Sequence, residues 1–389
     1  MRALQTSRPP RWRSLLAATV LTLLAMQVAA VPPAQAGGGN LRVRGADISF
    51  TLQEEAAGNS FTDNGAVQPV ERILARHGAN FVRLRIWTDP PPGYSDEAAA
   101  LTLARRAKRA GLGVLLDLHY SDFWADPGHQ NTPAAWQGQD LPTLAATVRD
   151  YTRRVVADFA RQGTPLDMIQ VGNEVTAGFL WPTGQIYQAD GEHWPEFATL
   201  LKAGIAGARA GNPKRHRLEV MVHIDRGGDN GGSRYFLDHV LAQGVQFDVL
   251  GQSYYPMWHG SLADLRSNLN DLAARYGKDI VVAEAAYPWT LDNGDQLGNF
   301  VFSADQLPDG AAYPATIQGQ AAYFEALRSV LAQVPGGHGA GFLDWEPEWI
   351  PGVGWEPGAG NPNDNLTMFD FQGAALPSLR SFRPPGGGR

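Results

Sequence analysis

The chain has 389 residues, of which 44% are hydrophobic, and carries a formal net charge of −7 with a pI near 5.7. This length allows one large α/β domain or two ordinary ones. The acidic balance argues against nucleic-acid binding, which depends on clustered lysine and arginine. The absence of cysteine excludes disulfides and thiolate chemistry.

The first 36 residues have the pattern of a secretory signal peptide. Several arginines precede an apolar segment at 14–30, and "AQA" at 34–36 offers a cleavage site. We predict cleavage after Ala36 and a secreted, extracellular protein without membrane association; an uncleaved anchor is the alternative. Residues 37–41 and 383–389 are predicted to be a flexible leader and tail, and 42–382 to be one domain.

Short apolar segments recur along the chain, each followed by polar residues and then by a helical pattern. The eight segments are 43–49, 80–87, 113–120, 167–174, 218–225, 247–255, 279–287 and 339–347. Helical periodicity between them is clearest at 96–111 and 141–163, both ending in glycine. This alternation predicts a parallel (β/α)8 TIM barrel. An open doubly wound sheet is the alternative, although no GxGxxG motif follows the first strand.

In such a barrel, the residues at the C-terminal ends of the strands form the candidate active site. These residues are Asp47, Arg83, Arg85, Trp87, His119, Asn173, Glu174, His223, Asp225, Tyr254, Tyr255, Glu284, Asp344, Trp345 and Glu346. Glu174 and Glu284 each close a nearly pure apolar segment, on strands four and seven. Two carboxylates facing each other across a tryptophan-rich cleft suit glycoside hydrolysis, with one as proton donor and the other attacking carbon or activating water.

Each residue also has a structural interpretation when taken alone. A glutamate at a strand end can be a rim residue, and His119 and His223 can be hydrogen-bonded strand-end histidines. We expect Arg83 and Arg85 to face opposite sides of the second strand, so that only one of them is functional. The functional interpretation depends on all of these side chains meeting at one rim.

Several long motifs, taken in order, resemble glycoside hydrolase family 53, the arabinogalactan endo-β-1,4-galactanases of clan A. The motifs are "RGADIS", "VRLRIWTDP", "DLHYSDFWADPGHQ", "QVGNEVTAGFLWP", "SYYPMWHG", "AEAAYPWT" and "FLDWEPEWIP". The resemblance covers roughly residues 42–382. It implies a (β/α)8 barrel and retaining endo-hydrolysis of β-1,4-galactan, a side chain of pectic type I arabinogalactan.

The resemblance also implies residue roles. Glu174 matches the general acid/base, Glu284 the nucleophile, and Asn173 the partner of the sugar 2-hydroxyl. The other substrate-binding or orienting candidates are Asp47, Arg83, Trp87, His119, His223, Tyr254 and Trp345. Retention predicts carboxyl groups about 5–5.5 Å apart, against about 6.5–9.5 Å for inversion. Another clan A hydrolase, such as a mannanase or exo-galactosidase, and a non-catalytic carbohydrate-binding barrel are the alternatives.

The loop after strand seven departs from relatives that bind calcium. "NGDQLGN" at 293–299 keeps Asp295 and Asn299, but Asn293 replaces an acidic ligand and Leu297 replaces a histidine. Calcium affinity depends on the number and charge of oxygen ligands. We therefore expect no required cofactor and a weak or absent calcium site.

The loop at 346–365 is rich in glycine, proline and tryptophan. We expect it to wall the cleft, with Trp349 and Trp355 stacking on sugars; a mobile surface loop is the alternative. The expected partner is a polysaccharide, with no nucleic acid, and the expected state is a monomer.

Overall fold

A computed structural model describes residues 40–91, 93–355 and 358–384. The predicted signal peptide and most of the predicted leader and tail lie outside these described residues. Within them, no helix is both long enough and apolar enough to cross a membrane.

Eight parallel strands form a closed barrel, as the sequence predicts. The strands are β1 (Val43–Asp47), β2 (Phe81–Ile86), β3 (Gly113–Leu118), β4 (Met168–Val171), β5 (Glu219–Ile224), β6 (Val249–Tyr254), β7 (Asp279–Ala285) and β8 (Gly339–Trp345). Each strand pairs with the next in sequence, and β8 closes the barrel by pairing with β1. The prediction of a (β/α)8 TIM barrel is confirmed.

Helices follow the strands and cover the outside of the barrel. Their bounds are α1 (Thr51–Ala56), α2 (Val70–Arg76), α3 (Glu97–Arg109), α4 (Leu141–Arg161), α5 (Trp194–Gly211), α6 (Asn230–Ala242), α7 (Pro256–His259), α8 (Leu262–Tyr276) and α9 (Ile317–Ala332). Local chemistry sets these bounds: the Asp140 carboxylate caps α4 by accepting from the Thr143 amide, and Gly163 follows the helix at φ 86°.

The barrel interior changes character along the strands. Near the N-terminal ends, a cluster of apolar side chains fills it: Val43, Leu115, Met168, Met221, Val249, Val281, Ala283, Ala340 and Leu343, with Phe81 against them. Near the C-terminal ends, buried polar side chains replace them: Asp47, Arg83, Asp117, Gln170, His223 and Glu284. The chemistry is therefore concentrated at one end of a barrel whose other end is apolar.

The two ends of the described barrel chain meet beside β1. The Arg44 guanidinium donates to the Phe382 carbonyl at 2.8 Å, and the Phe382 ring packs on Phe342 of β8. Since Arg44 lies near the start of β1, this junction is at the N-terminal end of the barrel.

The expectation that Arg83 and Arg85 face opposite sides is wrong. Side chains two residues apart in a strand point to the same side. Arg83 aligns with Leu115, inside the barrel, and Arg85 aligns with Asp117 above it. Both arginines therefore reach the interior, where Arg83 pairs with Asp47 and Arg85 pairs with Glu346.

Candidate active site

A cleft of about 820 Å³ opens at the C-terminal ends of the strands. Both glutamates line it, Glu174 after β4 and Glu284 on β7. Asn173, His119 and Trp345, all predicted site residues, line the same cleft. The strand-end pattern thus brings these five side chains to one cavity.

Glu174 occupies an unusual backbone position. Its φ and ψ are 47° and 49°, the left-handed region, and Gly172 just before it has φ 83°. Left-handed backbone costs a non-glycine residue roughly 1–2 kcal/mol. Tyr120 after β3 and Glu346 after β8 also have positive φ, 51° in each case. Such strain is common where a site requires one side-chain direction.

Glu284 is bound by a cation on one oxygen and by a hydroxyl on the other. Arg83 lies 2.8 Å from Oε1, and the Tyr255 hydroxyl donates to Oε2 at 2.8 Å. Burial and then the nearby Glu284 charge raise the pKa of Tyr255 well above its ordinary value, which keeps this hydroxyl a donor. This pair of donors suits a carboxylate anion.

Arg83 is the cation that organises the interior of the site. It lies 2.9 Å from both Asp47 and Asp117 and donates to the Asn173 side-chain oxygen at 2.8 Å. Burial lowers the pKa of Arg83, but Asp117, Glu284 and Asp47 outweigh this and raise the pKa above its ordinary value. Burial likewise opposes ionisation of Asp117, but Arg83 and then His119 lower its pKa to about 2.

Glu174 has the opposite environment from Glu284. Its pKa is raised well above the ordinary value, first by burial, then by the negative charge of Glu284, and then by Asp225. Its Oε1 lies 2.6 Å from the Ser253 hydroxyl, and none of the basic side chains that the structure describes forms an ion pair with it. The two carboxyl groups that share the cleft therefore differ in environment: Glu284 pairs with Arg83, and burial raises the pKa of Glu174.

The two predicted histidines are buried and hydrogen-bonded to neighbouring side chains. His119 accepts at Nδ1 from the Trp87 indole (3.2 Å) and the Ala125 amide (3.0 Å), while its Nε2 lies 3.0 Å from Asp117. Burial, then the Arg83 charge, lowers the pKa of His223 well below its ordinary value.

Of the other predicted residues, Asp47, Arg83, Trp87 and His223 lie behind the cleft and support the side chains that line it. The expectation that Tyr254 is a substrate-binding or orienting residue is wrong. Its hydroxyl donates to the Gly260 carbonyl at 2.9 Å, away from Glu284, whereas Tyr255 lines the cleft and binds Glu284. Successive side chains alternate in direction, so only one of two neighbouring tyrosines can face the cleft.

The prediction that both loop tryptophans face the cleft is right for Trp355 and wrong for Trp349. Trp355 lines the cleft as expected, but Trp349 is fully buried, stacked on Phe50 at 4.2 Å with its indole donating to the Val353 carbonyl. Trp349 therefore supports Trp355, whose ring centroid is 5.0 Å away, and does not meet sugar itself.

The aromatic cleft residues Trp124, Trp258 and Phe300 were not predicted from the sequence. An aromatic wall runs from Trp258 through Phe300 and Trp355 to Trp124, with neighbouring ring centroids 5.2, 5.9 and 5.1 Å apart. Arg85 reinforces it, since its guanidinium lies 4.2 Å from the Trp124 ring. The loop motifs "DFWADP" and "PMWHG" contained two of these aromatics, but loop side chains carry no periodicity that shows their direction.

The side chains of Asn293, Asp295 and Asn299 form hydrogen bonds with nearby backbone groups. Both carboxylate oxygens of Asp295 accept backbone amides, from Leu297 and Asn361 at 2.7 Å each. The Asn293 amide donates to the Leu297 carbonyl, and Asn299 donates to the Asp292 carbonyl. In the described part of the chain, no three histidine or carboxylate side chains are grouped to hold a metal.

A (β/α)8 barrel that presents two glutamates, one after β4 and one on β7, in a single aromatic-lined cleft has the paired carboxyl groups of a glycoside hydrolase. The sequence profile of glycosyl hydrolase family 53 matches residues 43–382. The chain belongs to this family.

Two named relatives and one solved structure agree with this assignment. The chain is 36% identical to the arabinogalactan endo-β-1,4-galactanase of Humicola insolens, covering 88% of this chain and 99% of that one. It is 33% identical to the endo-β-1,4-galactanase of Bacillus subtilis, covering 88% and 85%. The family 53 catalytic domain of Ignisphaera aggregans superposes with a TM-score of 0.82 at 37% identity, covering 91% and 97%.

Proposed function

We propose that the protein is a secreted endo-β-1,4-galactanase that cleaves galactan and type I arabinogalactan with retention of configuration. The observation that carries this proposal is the contrast between the two glutamates: Arg83 and Tyr255 bind Glu284, while burial and then the Glu284 charge raise the pKa of Glu174. The names of the Humicola and Bacillus relatives support the substrate class.

The first chemical step forms a glycosyl-enzyme. Glu284 attacks the anomeric carbon while Glu174 transfers its proton to the departing glycosidic oxygen, which breaks the bond to the leaving sugar. Arg83 and Tyr255 hold the attacking carboxylate in place. Of the two Asn173 side-chain N–H groups, one donates to the Ala125 carbonyl, and the other is available for the sugar 2-hydroxyl.

In the second step, Glu174 is a base. The carboxylate left after proton transfer takes a proton from water, whose oxygen attacks the anomeric carbon and releases Glu284. Two inversions at one carbon give net retention. The aromatic wall supplies flat apolar surfaces for sugar rings on either side of this point.

Digestion of linear β-1,4-galactan with product sizing tests the activity. We expect a mixture of oligosaccharides early in the digest and the β-anomer as the first product by proton NMR. Release of galactose alone would indicate an exo-acting enzyme, and an initial α-anomer would contradict retention. β-1,4-Mannan is the control substrate, since its cleavage at a similar rate would favour a mannanase.

Secretion is tested by expressing the full chain in a host that exports proteins. We expect activity in the medium and a mature N-terminus at Gly37, directly after the predicted cleavage site. Activity confined to the membrane fraction, with the full-length chain, would indicate an uncleaved anchor.

A further inference from the structure

Ser253 links the candidate acid Glu174 to a buried histidine. Its hydroxyl lies 2.6 Å from Glu174 Oε1 and 2.9 Å from His223 Nε2. A bulge creates this position: β6 and β7 align Gln252 with Val282, but Ser253 with Glu284. Bulges beside active sites commonly redirect a side chain. Ser253 is fully buried and does not line the cleft, so it has no place in sugar binding.

Arg83 fixes the orientation of the Asn173 side-chain amide, and this orientation determines the direction of the hydrogen bonds around Ser253. The Asn173 side-chain oxygen accepts from Arg83 at 2.8 Å and from Gln170 at 2.9 Å, and the Asn173 amide nitrogen donates to the Ala125 carbonyl. The orientation of this amide is therefore fixed, with its oxygen facing inward.

The fixed Asn173 oxygen determines the tautomer of His223. Nδ1 of His223 lies 2.9 Å from that oxygen, so Nδ1 must carry a proton and donate it. The other tautomer would place two lone pairs against each other and keep only a 3.4 Å contact with the Glu174 amide. Since burial keeps His223 neutral, its Nε2 has no proton and is an acceptor.

Ser253 has a single hydroxyl proton, and His223 Nε2 receives it. The Ser253 oxygen must then accept at its second contact, the one with Glu174 Oε1. That contact requires a proton on Glu174. The chain of donors therefore runs from Glu174 to Ser253 to His223 to Asn173.

We propose that Ser253, acting through the tautomer of His223, is a positioning residue that holds Glu174 in its protonated form. This inference rests on the proposed role of Glu174 as general acid/base. In the free enzyme, Ser253 accepts a hydrogen bond from the protonated Glu174 carboxyl, and this bond breaks when Glu174 gives its proton to the glycosidic oxygen. After cleavage, His223 still requires the Ser253 proton, so the Glu174 carboxylate is a stronger base toward water.

Other charges also act on these groups, and a Ser253 substitution leaves them in place. Glu284, Asp225, Asp126 and Tyr255 face Glu174, while Arg83, Asp117, His119 and His259 face His223. The three carboxylates also disfavour ionisation of Glu174. A shift that follows from removing one hydroxyl therefore isolates the contribution of the Ser253 bond.

The test is the pH dependence of kcat/KM for Ser253→Ala and the wild type on galactan oligosaccharides. The alkaline limb reports ionisation of the acid in the free enzyme. We expect this limb to move to lower pH in Ser253→Ala, because the protonated acid loses its acceptor. A shift to higher pH would show that Ser253 donates to the carboxylate, and an unchanged limb would show no influence; either result overturns the proposal.

Ser378→Ala is the matched control, since Ser378 is also buried but its hydroxyl has no partner among the described residues. Its pH profile should equal that of the wild type. If Ser253→Ala fails to fold, the test is instead the infrared difference spectrum between the wild type and Glu174→Gln at pH 6. A protonated carboxyl band is expected there, and its absence would overturn the proposal.

These measurements distinguish the two proposals. A wild type that does not cleave galactan, or a Glu174→Gln variant of normal activity, would contradict the proposed function. A galactanase that depends on Glu174 but keeps its alkaline limb in Ser253→Ala would contradict only the role of Ser253.

Discussion

The two ends of the barrel interior are equally buried and differ in almost every other respect. On β4, Met168 lies in the apolar cluster, while Gln170, two residues on and on the same side, bonds to Arg83 and Asp117. The apolar end gains stability from contact area alone. At the polar end, burial costs free energy unless every charge is paired, and removing one partner exposes the whole cost. Burial by itself therefore does not distinguish structural from functional residues in this barrel.

The largest effect is expected from Glu284→Gln at the polar end. The substitution removes the attacking oxygen but preserves shape, so kcat should fall on the order of 10⁴-fold or more. The melting temperature should stay close to that of the wild type, measured by calorimetry. Glu284→Gly with azide should restore some cleavage with inverted product; near-normal activity in Glu284→Gln would refute the nucleophile assignment.

Arg83→Met tests the cost of the polar end directly. It leaves Asp47, Asp117 and Glu284 buried without their shared cation. We expect a loss of about 3–5 kcal/mol in the free energy of unfolding, from urea titration, together with loss of activity. Met221→Leu in the apolar cluster is the volume-matched control and should cost less than about 1.5 kcal/mol. Equal losses of unfolding free energy in Arg83→Met and Met221→Leu would contradict the difference between the polar and the apolar end.

Leu115→Ala tests the apolar end. Leu115 is fully buried in the lower cluster, so its truncation should destabilise the fold by about 2–5 kcal/mol. Well below the melting temperature, kcat/KM should remain near that of the wild type, because the site above is held by its own hydrogen bonds. A tenfold fall in kcat/KM would show that the two ends are coupled.

Glu54→Gln addresses a buried carboxyl outside the cleft. Burial, despite a bond from Asn59, raises the pKa of Glu54 to about 9 from 4.5. The folded state therefore binds more protons than the unfolded state between these values, so this contribution to stability is lost as pH rises through about 9. Glu54→Gln should remove that loss and be relatively more stable at pH 9 than at pH 5. Parallel stability curves would contradict this.

The smallest effect is expected from metal removal. The oxygens of Asp295 are already bound by backbone amides, so EDTA should leave the melting temperature and the activity unchanged. A large fall in melting temperature, reversed by added calcium, would show that the loop binds the ion. Magnesium addition is the control for nonspecific salt effects.

The barrel was predictable because each strand is a short apolar segment followed by polar residues. In this fold the C-terminal ends of all the strands lie on one rim. Glu174 and Glu284 followed from that pattern together with the family resemblance. The choice between Tyr254 and Tyr255 did not follow, because the phase of a strand at its end depends on a bulge that only neighbouring strands define. The directions of Trp124, Trp258 and Trp349 depend on loop packing, which has no sequence period.

The junction between Arg44 and the Phe382 carbonyl has a consequence for how this domain can be joined to others. Both ends of the described chain emerge on the face opposite the cleft, so a module fused at either end leaves the path of a long polymer open. The same proximity makes the barrel suited to circular permutation. A short linker from Pro384 to Asn40 could restore continuity while new termini are placed in an exposed loop.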